Sequence, residues 1–146
     1  MEIRKAGALD ISPLIFLLLN MHKETEVKVA PIDSEKVVSE ISHIIHHGVA
    51  FVAVTEDNNL AGSIGGGTGF DWWSTQPFLA DHWFYVAPDH RNSSAAVRLV
   101  KKFIETGKEA NVPVKLGHVF SGDLERKDKF FERLGFVKAG TVFVEK

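Results

Sequence analysis

Apolar residues recur at helical spacing in two N-terminal segments of the chain. Ser12 and Pro13 form a typical helix start, with the serine as N-cap and the proline at the first helical position. The run 14–19 is apolar on all sides, so we expect protein to cover this helix. A second helix begins at Asp33 or Ser34 and ends at Gly48, a typical C-cap residue.

Six segments have the β-branched and aromatic composition of strands, and turn residues bound them. They cover residues 2–5, 49–55, 60–70, the stretch leading to 83–86, 112–119, and 136–144, the last as one strand or a pair. A third helix follows residue 95, and a fourth covers 125–134. The order is strand, two helices, three strands, helix, strand, helix, strand, which predicts a mixed α/β fold around one sheet.

Composition narrows the class of protein. A chain of 146 residues predicts a single domain over 1–146. The formal net charge of -2 argues against nucleic acid as a partner. With no cysteine, disulfides, cysteine zinc sites and a cysteine nucleophile are excluded.

The apolar run 14–19 is too short to span a bilayer. Met21, His22, Lys23 and Glu24 follow it, where a signal peptide would have a small-residue cleavage site. We therefore predict a cytoplasmic protein without a membrane partner.

The stretch 83–96 combines a strand, a Pro88 turn and a helix start. Its small residues leave the first backbone N–H groups of the helix open, which suits a phosphate or pyrophosphate. An ordinary capped strand-to-helix connection fits the same residues equally well.

Two other patterns lack the neighbours that a binding site needs. His43 and His47 share a helix face beside His46, but no third ligand is evident, so we predict no metal site. The glycine-rich segment 62–67 lacks the Lys-Ser or Lys-Thr of a phosphate loop. It predicts a strand with bulges or close backbone approach.

Three segments in order resemble motifs of the GNAT N-acetyltransferases. Residues 91–96 resemble the acetyl-CoA motif (arginine or glutamine, two residues, glycine, one residue, glycine or alanine), and Val86-Ala87-Pro88 precede them. Residues 3–6 with Asp10 resemble the opening of the family, and 130–136 resemble its C-terminal motif. The similarity covers essentially the whole chain.

The resemblance implies a GNAT-like acyl-CoA N-acyltransferase fold with acetyl-CoA or CoA as cosubstrate. The central strand 83–86 would splay from 114–119, and pantetheine would pair with the backbone of Tyr85 and Val86. The acetyl carbonyl would lie near a β-bulge on that strand. The pyrophosphate would lie on the amides of the turn, which are those of Arg91, Asn92, Ser93, Ser94, Ala95 and Ala96.

Three positions depart from the family pattern. Ser94 replaces a glycine, and Leu124 replaces an asparagine that often helps hold the cofactor. Phe131, which would still border the cofactor, replaces the tyrosine that protonates the leaving thiolate, and phenylalanine has no proton to donate. The candidate substitutes as general acid are Tyr85, His118 and Ser121.

A base must take a proton from the incoming ammonium group. Asp81 and His82 precede the acyl site, and since neighbours on a strand point to opposite faces, at most one should face the cleft. Histidine titrates near neutral pH and suits the role. Glu24 is a third candidate.

The sequence thus predicts an N-acetyltransferase that moves an acetyl group from acetyl-CoA directly to a primary amine of a small molecule or peptide. The alternative is a non-catalytic CoA-binding or interaction module with the same fold. Trp72 and Trp73 fit a substrate wall, a homodimer contact or a plain loop anchor.

Overall fold

The computed structural model describes residues 1–117 and 123–146. Its helices and strands follow the order predicted from the sequence as far as the fourth helix. They are β1 (Glu2–Lys5), α1 (Ile11–Glu24), α2 (Ser34–His47), β2 (Val49–Val54), β3 (Leu60–Phe70), β4 (Pro77–Val86), α3 (Ala95–Glu109), β5 (Val114–Lys115) and α4 (Leu124–Arg133). Short 3₁₀ turns cover Ala8–Asp10 and Pro88–His90.

The five strands form one mixed sheet in the order β1-β2-β3-β4-β5. Neighbouring strands are antiparallel except β4 and β5, which are parallel. The predicted mixed α/β fold is confirmed.

Helices cover both faces of the sheet. Leu14 of α1 and Ile41 of α2 are buried with Trp83 and Tyr85 of β4 on one face. Phe103 of α3 is fully buried on the other face. Burial of a side chain of this size stabilises the fold by about 1.5–3 kcal/mol. The central strand β4 is therefore held from both sides, which fixes the position of any group that it presents.

Helix α1 differs from its prediction in its start and in its exposed face. Its N-cap is Asp10, and Ser12 and Pro13 lie inside the first turn, where a proline is tolerated. Asp10 is fixed by two hydrogen bonds from Arg4, of 2.7 and 2.9 Å. Phe16 is 72% exposed, so the prediction that protein covers the apolar run 14–19 on all sides was wrong.

The glycine-rich strand β3 approaches its neighbour too closely for side chains. A Cβ added at Gly66 would lie 1.8 Å from the carbonyl oxygen of Ala80. The pairing register of β3 and β4 also shifts between Gly65 and Gly66. The close backbone approach that the sequence offered for this segment is present, and the extra residue of the bulge lies on β4 opposite it.

The C-terminal part is less regular than predicted. Residues 136–146 contain no strand, and Val142 and Phe143 are 70% and 92% exposed, so the predicted strand was wrong. A strand needs a neighbouring strand to satisfy its backbone groups, and β5 forms a ladder of only two residue pairs among the described residues. Most of the predicted strand 112–119 is likewise irregular up to residue 117.

None of the helices in the described part of the chain is both long and apolar enough to cross a bilayer.

Candidate functional site

Among the described residues, strand β4 pairs with β5 only in the first half of its length. The pairs Leu79–Val114 and Ala80–Lys115 form the described ladder. At the next residue, Asp81 accepts a hydrogen bond from the amide of Gly117 through its side chain, at 2.9 Å. Among the described residues, 82–86 therefore pair with β3 alone, and we call this segment the open half of β4.

The open half begins at a β-bulge. Gly66 pairs with Asp81 and Gly65 pairs with Trp83, so His82 is the extra residue on β4. Bulges change the direction of nearby side chains. The adjacent His82 and Trp83 accordingly both contact groups on the α1–α2 face, which simple alternation would not allow.

The backbone of the open half presents alternate residues to the edge opposite β3, which has no strand partner among the described residues and which we call the open edge. The amide of Ala87 donates to Ala61 of β3, at 2.8 Å. The carbonyl of Tyr85 also faces β3, where it lies 2.7 Å from the Cβ position of Gly62. Since direction alternates along a strand, the backbone groups of Phe84 and Val86 point to the open edge.

The turn after β4 exposes the start of α3. Ser93 Oγ donates to the carbonyl of His90 at 2.6 Å and accepts from the amide of Ala95 at 3.2 Å. Ser94 is the exposed N-cap, but its side chain makes no capping hydrogen bond. The amides of the first helical turn, including that of Ala96, have no partner within the helix and can receive an anion. Ala95 is fully buried, so only its backbone belongs to this surface.

Three side chains close the end of β4, and we call Tyr85, Glu24 and Arg91 the strand-end cluster. The Tyr85 hydroxyl donates to the Glu24 carboxylate. Arg91 donates to both oxygens of Glu24 at 2.9 and 3.0 Å, and through Nε to the carbonyl of Val86 at 3.0 Å. Its guanidinium carbon also lies 5.5 Å from the centre of the Tyr85 ring. The cluster thus joins the end of α1 to the turn before α3.

The electrostatics of the cluster follow from these contacts. Burial, and after it the Glu24 carboxylate, raises the pKa of Tyr85 to about 12. Burial alone would raise the pKa of Glu24, but hydrogen bonds from Tyr85 and Arg91 outweigh it and lower that pKa. Burial and the charge of Arg91 lower the pKa of Lys127 in α4. At neutral pH the cluster therefore holds a carboxylate, a neutral phenol and a guanidinium.

A second pair of side chains lies at the bulge, and we call His82 and Glu40 the bulge pair. His82 Nδ1 lies 2.9 Å from Glu40 Oε1 on α2. Lys36 Nζ lies 3.6 Å from the other oxygen of Glu40. Sequence reasoning found His82 but missed Glu40, because a pair 42 residues apart leaves no local pattern.

Helix α4 borders the open half through aromatic rings. The ring of Phe131 lies 6.2 Å from that of Phe84 and 5.2 Å from that of Phe130, centre to centre. Phe131 thus lies next to a residue of the open half and brings no hydroxyl there. Leu124 is the first residue of α4 and is 51% exposed.

The remaining candidates lie elsewhere. His118 and Ser121 fall outside the described residues. The rings of His43 and His47 are 5.1 Å apart, and no group of three or more ligating side chains in the described part of the chain could hold a metal. Trp72 and Trp73 stack edge to face in the β3–β4 loop and are 93% and 68% exposed.

Comparison with known proteins identifies the family. The model of the acetyltransferase (GNAT) family matches residues 16–136. No curated protein sequence matches the chain significantly.

Several solved structures share the fold. The aminoglycoside 6'-N-acetyltransferase AAC(6')-IG from Acinetobacter haemolyticus is 15% identical with a TM-score of 0.75, over 100% of this chain and 97% of that one. AAC(6')-Iy, solved with a bisubstrate analogue of CoA and acetylneamine, is 14% identical with a TM-score of 0.78, over 99% and 96%. A predicted acetyltransferase from Clostridium acetobutylicum, solved with acetyl-CoA, is 16% identical with a TM-score of 0.77, over 99% and 95%. Together with the family match over most of its length, the strand that opens into a small-residue turn identifies this chain as a member of the GNAT acetyltransferase family.

Proposed function

We propose that this protein transfers an acetyl group from acetyl-CoA to a primary amine of a small molecule or peptide. The observation that supports this most is the open half of β4, which ends at the exposed start of α3. The solved relatives include one with acetyl-CoA and one with an analogue that joins CoA to an amine.

The described residues fit a CoA molecule in chemical terms. The backbone of Phe84 and the amide of Val86 offer hydrogen-bonding groups at the open edge, as pantetheine amides require, while the Val86 carbonyl accepts from Arg91. The first amides of α3, such as that of Ala96, can donate hydrogen bonds to the pyrophosphate, and Arg91 adds a positive charge at the other end of the same turn. The side chain of Ser94 is exposed, so it has room to turn away from a bound phosphate.

The reaction forms one C–N bond and breaks one C–S bond. An ammonium substrate loses two protons: His82 takes one, and the other ends on the sulfur of the released CoA. In the described part of the chain, Phe131 has no hydroxyl and the candidate acid Tyr85 already donates to Glu24, so neither gives a proton to the thiolate, and solvent protonates it. General acid catalysis is typically worth about 10²–10⁴-fold, so we expect a slower enzyme than one with the tyrosine.

Phe131 also favours a second candidate function, a CoA-binding module without catalysis. The ion pair between Arg91 and Glu24 supports the same alternative. It engages Glu24, which is a candidate base, and a protein that only binds CoA needs no base. The two functions share CoA binding and differ only in turnover.

Release of free thiol from acetyl-CoA, measured against a panel of small amines and peptides, separates them. We expect at least one amine to give release above the rate of hydrolysis, with the acetylated amine formed in equal amount. CoA that binds without any such release would support the non-catalytic module. If neither CoA nor acetyl-CoA shifts the melting temperature, both functions would be contradicted.

A further inference from the structure

The histidine at the bulge has one ring nitrogen engaged and one available. A carboxylate can only accept a hydrogen bond, so Nδ1 of His82 carries the hydrogen that it shares with Glu40 at 2.9 Å. In the neutral ring the basic lone pair then belongs to Nε2. Among residues 1–117 and 123–146, no side chain donates to or accepts from Nε2.

We propose that Glu40 is a positioning residue that makes His82 the base of the reaction, a role that rests on the proposed function. The carboxylate fixes the ring in one orientation and one tautomer, with Nε2 available at the start of the open half. When Nε2 takes a proton from the ammonium substrate, Glu40 balances the new positive charge. The same division of roles between a carboxylate and a histidine occurs in hydrolytic triads.

The location supports this role over that of an ordinary surface ion pair. His82 is the extra residue of the bulge and lies two residues after the last described β4–β5 pair, at Ala80. A base must lie within hydrogen-bond reach of the amine that attacks, and among the described residues the open half has no strand partner on the edge opposite β3. His82 and Glu40 are 44% and 36% exposed, so a substrate can reach the pair.

The charged groups around the pair are few. Lys36 lies on the far oxygen of Glu40, at 3.6 Å. Asp81 precedes His82 in the chain, and its carboxylate is bound by the amide of Gly117. Glu40 is therefore the anion in direct contact with the imidazole.

The test compares Glu40→Ala and Glu40→Gln with Glu35→Gln, which removes the same charge from an exposed site on α2. We expect Glu40→Ala to lower kcat/KM about tenfold, less than the about 10²–10⁴-fold that a general base itself contributes, because Glu40 acts through His82. Glu40→Gln should keep the ring orientation and lose less activity, since its side-chain oxygen can still accept from Nδ1. Glu35→Gln should match the wild type. Exposed ion pairs contribute only about 0–1 kcal/mol to folding, so all variants should fold.

A second readout needs no turnover. Nitrogen-15 NMR of the His82 ring should show the Nδ1–H tautomer in the wild type and a shift toward Nε2–H in Glu40→Ala. An unchanged tautomer and an unchanged kcat/KM in Glu40→Ala would overturn the proposal. Absence of thiol release by the wild type would instead contradict the proposed function, while NMR would still decide whether Glu40 orients the ring.

Discussion

The strand-end cluster and the bulge pair lie on the same face of β4, three residues apart, and differ in how completely their groups are engaged. In the strand-end cluster the Tyr85 hydroxyl, both Glu24 oxygens and two nitrogens of Arg91 already have partners. In the bulge pair, one nitrogen of His82 is held and the other has no described partner. The strand-end cluster is suited to a structural role beside the turn 91–96, where we propose that the pyrophosphate binds. The bulge pair is suited to proton transfer.

The comparison bears on two residues that the sequence offers for different steps. Tyr85 is a candidate general acid, and His82 is a candidate base. A phenol whose pKa is raised to about 12 and whose hydrogen is shared with a carboxylate is a poor proton donor near neutral pH. We therefore assign proton transfer to His82 and a supporting role to Tyr85.

The largest expected effect comes from His82→Asn. Removal of a general base should lower kcat/KM about 10²-fold or more near neutral pH. CoA affinity should stay within about twofold, because the turn and the strand edge are unchanged. His43→Asn, which alters an exposed histidine on α2, is the control. Equal activity of the two variants would remove the bulge pair from the mechanism.

A spectroscopic titration tests the strand-end cluster without any mutation in it. Tyr85 is the sole tyrosine of the chain, so tyrosinate absorbance reports it alone. We expect a midpoint at about pH 12 in the folded protein, against an ordinary value of 10.0 in the unfolded chain. Since the pKa is raised on folding, this stabilisation is complete below pH 10 and is lost as the pH rises toward 12. A folded-state midpoint at the ordinary value would show that the hydroxyl is not held by Glu24.

The turn between β4 and α3 can be tested by adding a charge to it. Ser94→Asp places a carboxylate next to the proposed pyrophosphate and should weaken CoA binding about tenfold or more, as measured by calorimetry. Aspartate is as good an N-cap as serine, so the melting temperature should not fall. Ser94→Asn is the neutral control of the same size. Equal CoA affinity of the two variants would mean that the phosphates lie elsewhere.

The smallest effect on rate is expected for Tyr85→Phe. Loss of the hydrogen bond to Glu24 should cost about 1–3 kcal/mol of folding free energy, since the acceptor is charged. The kcat of the variant should change by less than about threefold, because Tyr85 donates no proton in the reaction. A loss on the general-acid scale of about 10²-fold would contradict the assignment.

Local patterns predicted much of the fold. The bounds of β1 and β3 match the structure residue for residue, because turn residues or a change of pattern mark their ends. Asp33 caps α2 through the amides of Glu35 and Lys36, as its residue type indicates. The turn 91–96 follows β4 as the motif predicts.

The failures concern contacts between distant parts of the chain. The alternation in 136–144 predicts a strand, but a strand forms only beside a neighbouring strand that can pair with its backbone groups. Among the described residues, the β4–β5 ladder has only two residue pairs. The helix start at Ser12 was displaced by Asp10, whose carboxylate is held by Arg4 of β1. Glu40 belongs to the site only because α2 packs across the bulge.

The central claim is that His82 transfers the proton and that Tyr85 has only a supporting role. Its most direct test is the pH dependence of kcat/KM for acetyl transfer, measured from about pH 5 to 9, the range in which histidine titrates. The experiment compares the wild type with His82→Asn and Tyr85→Phe. We predict that Tyr85→Phe keeps the wild-type profile and that His82→Asn loses the acid limb along with most of the activity. A His82→Asn profile with the wild-type shape and height, together with a loss of activity in Tyr85→Phe, would contradict the account.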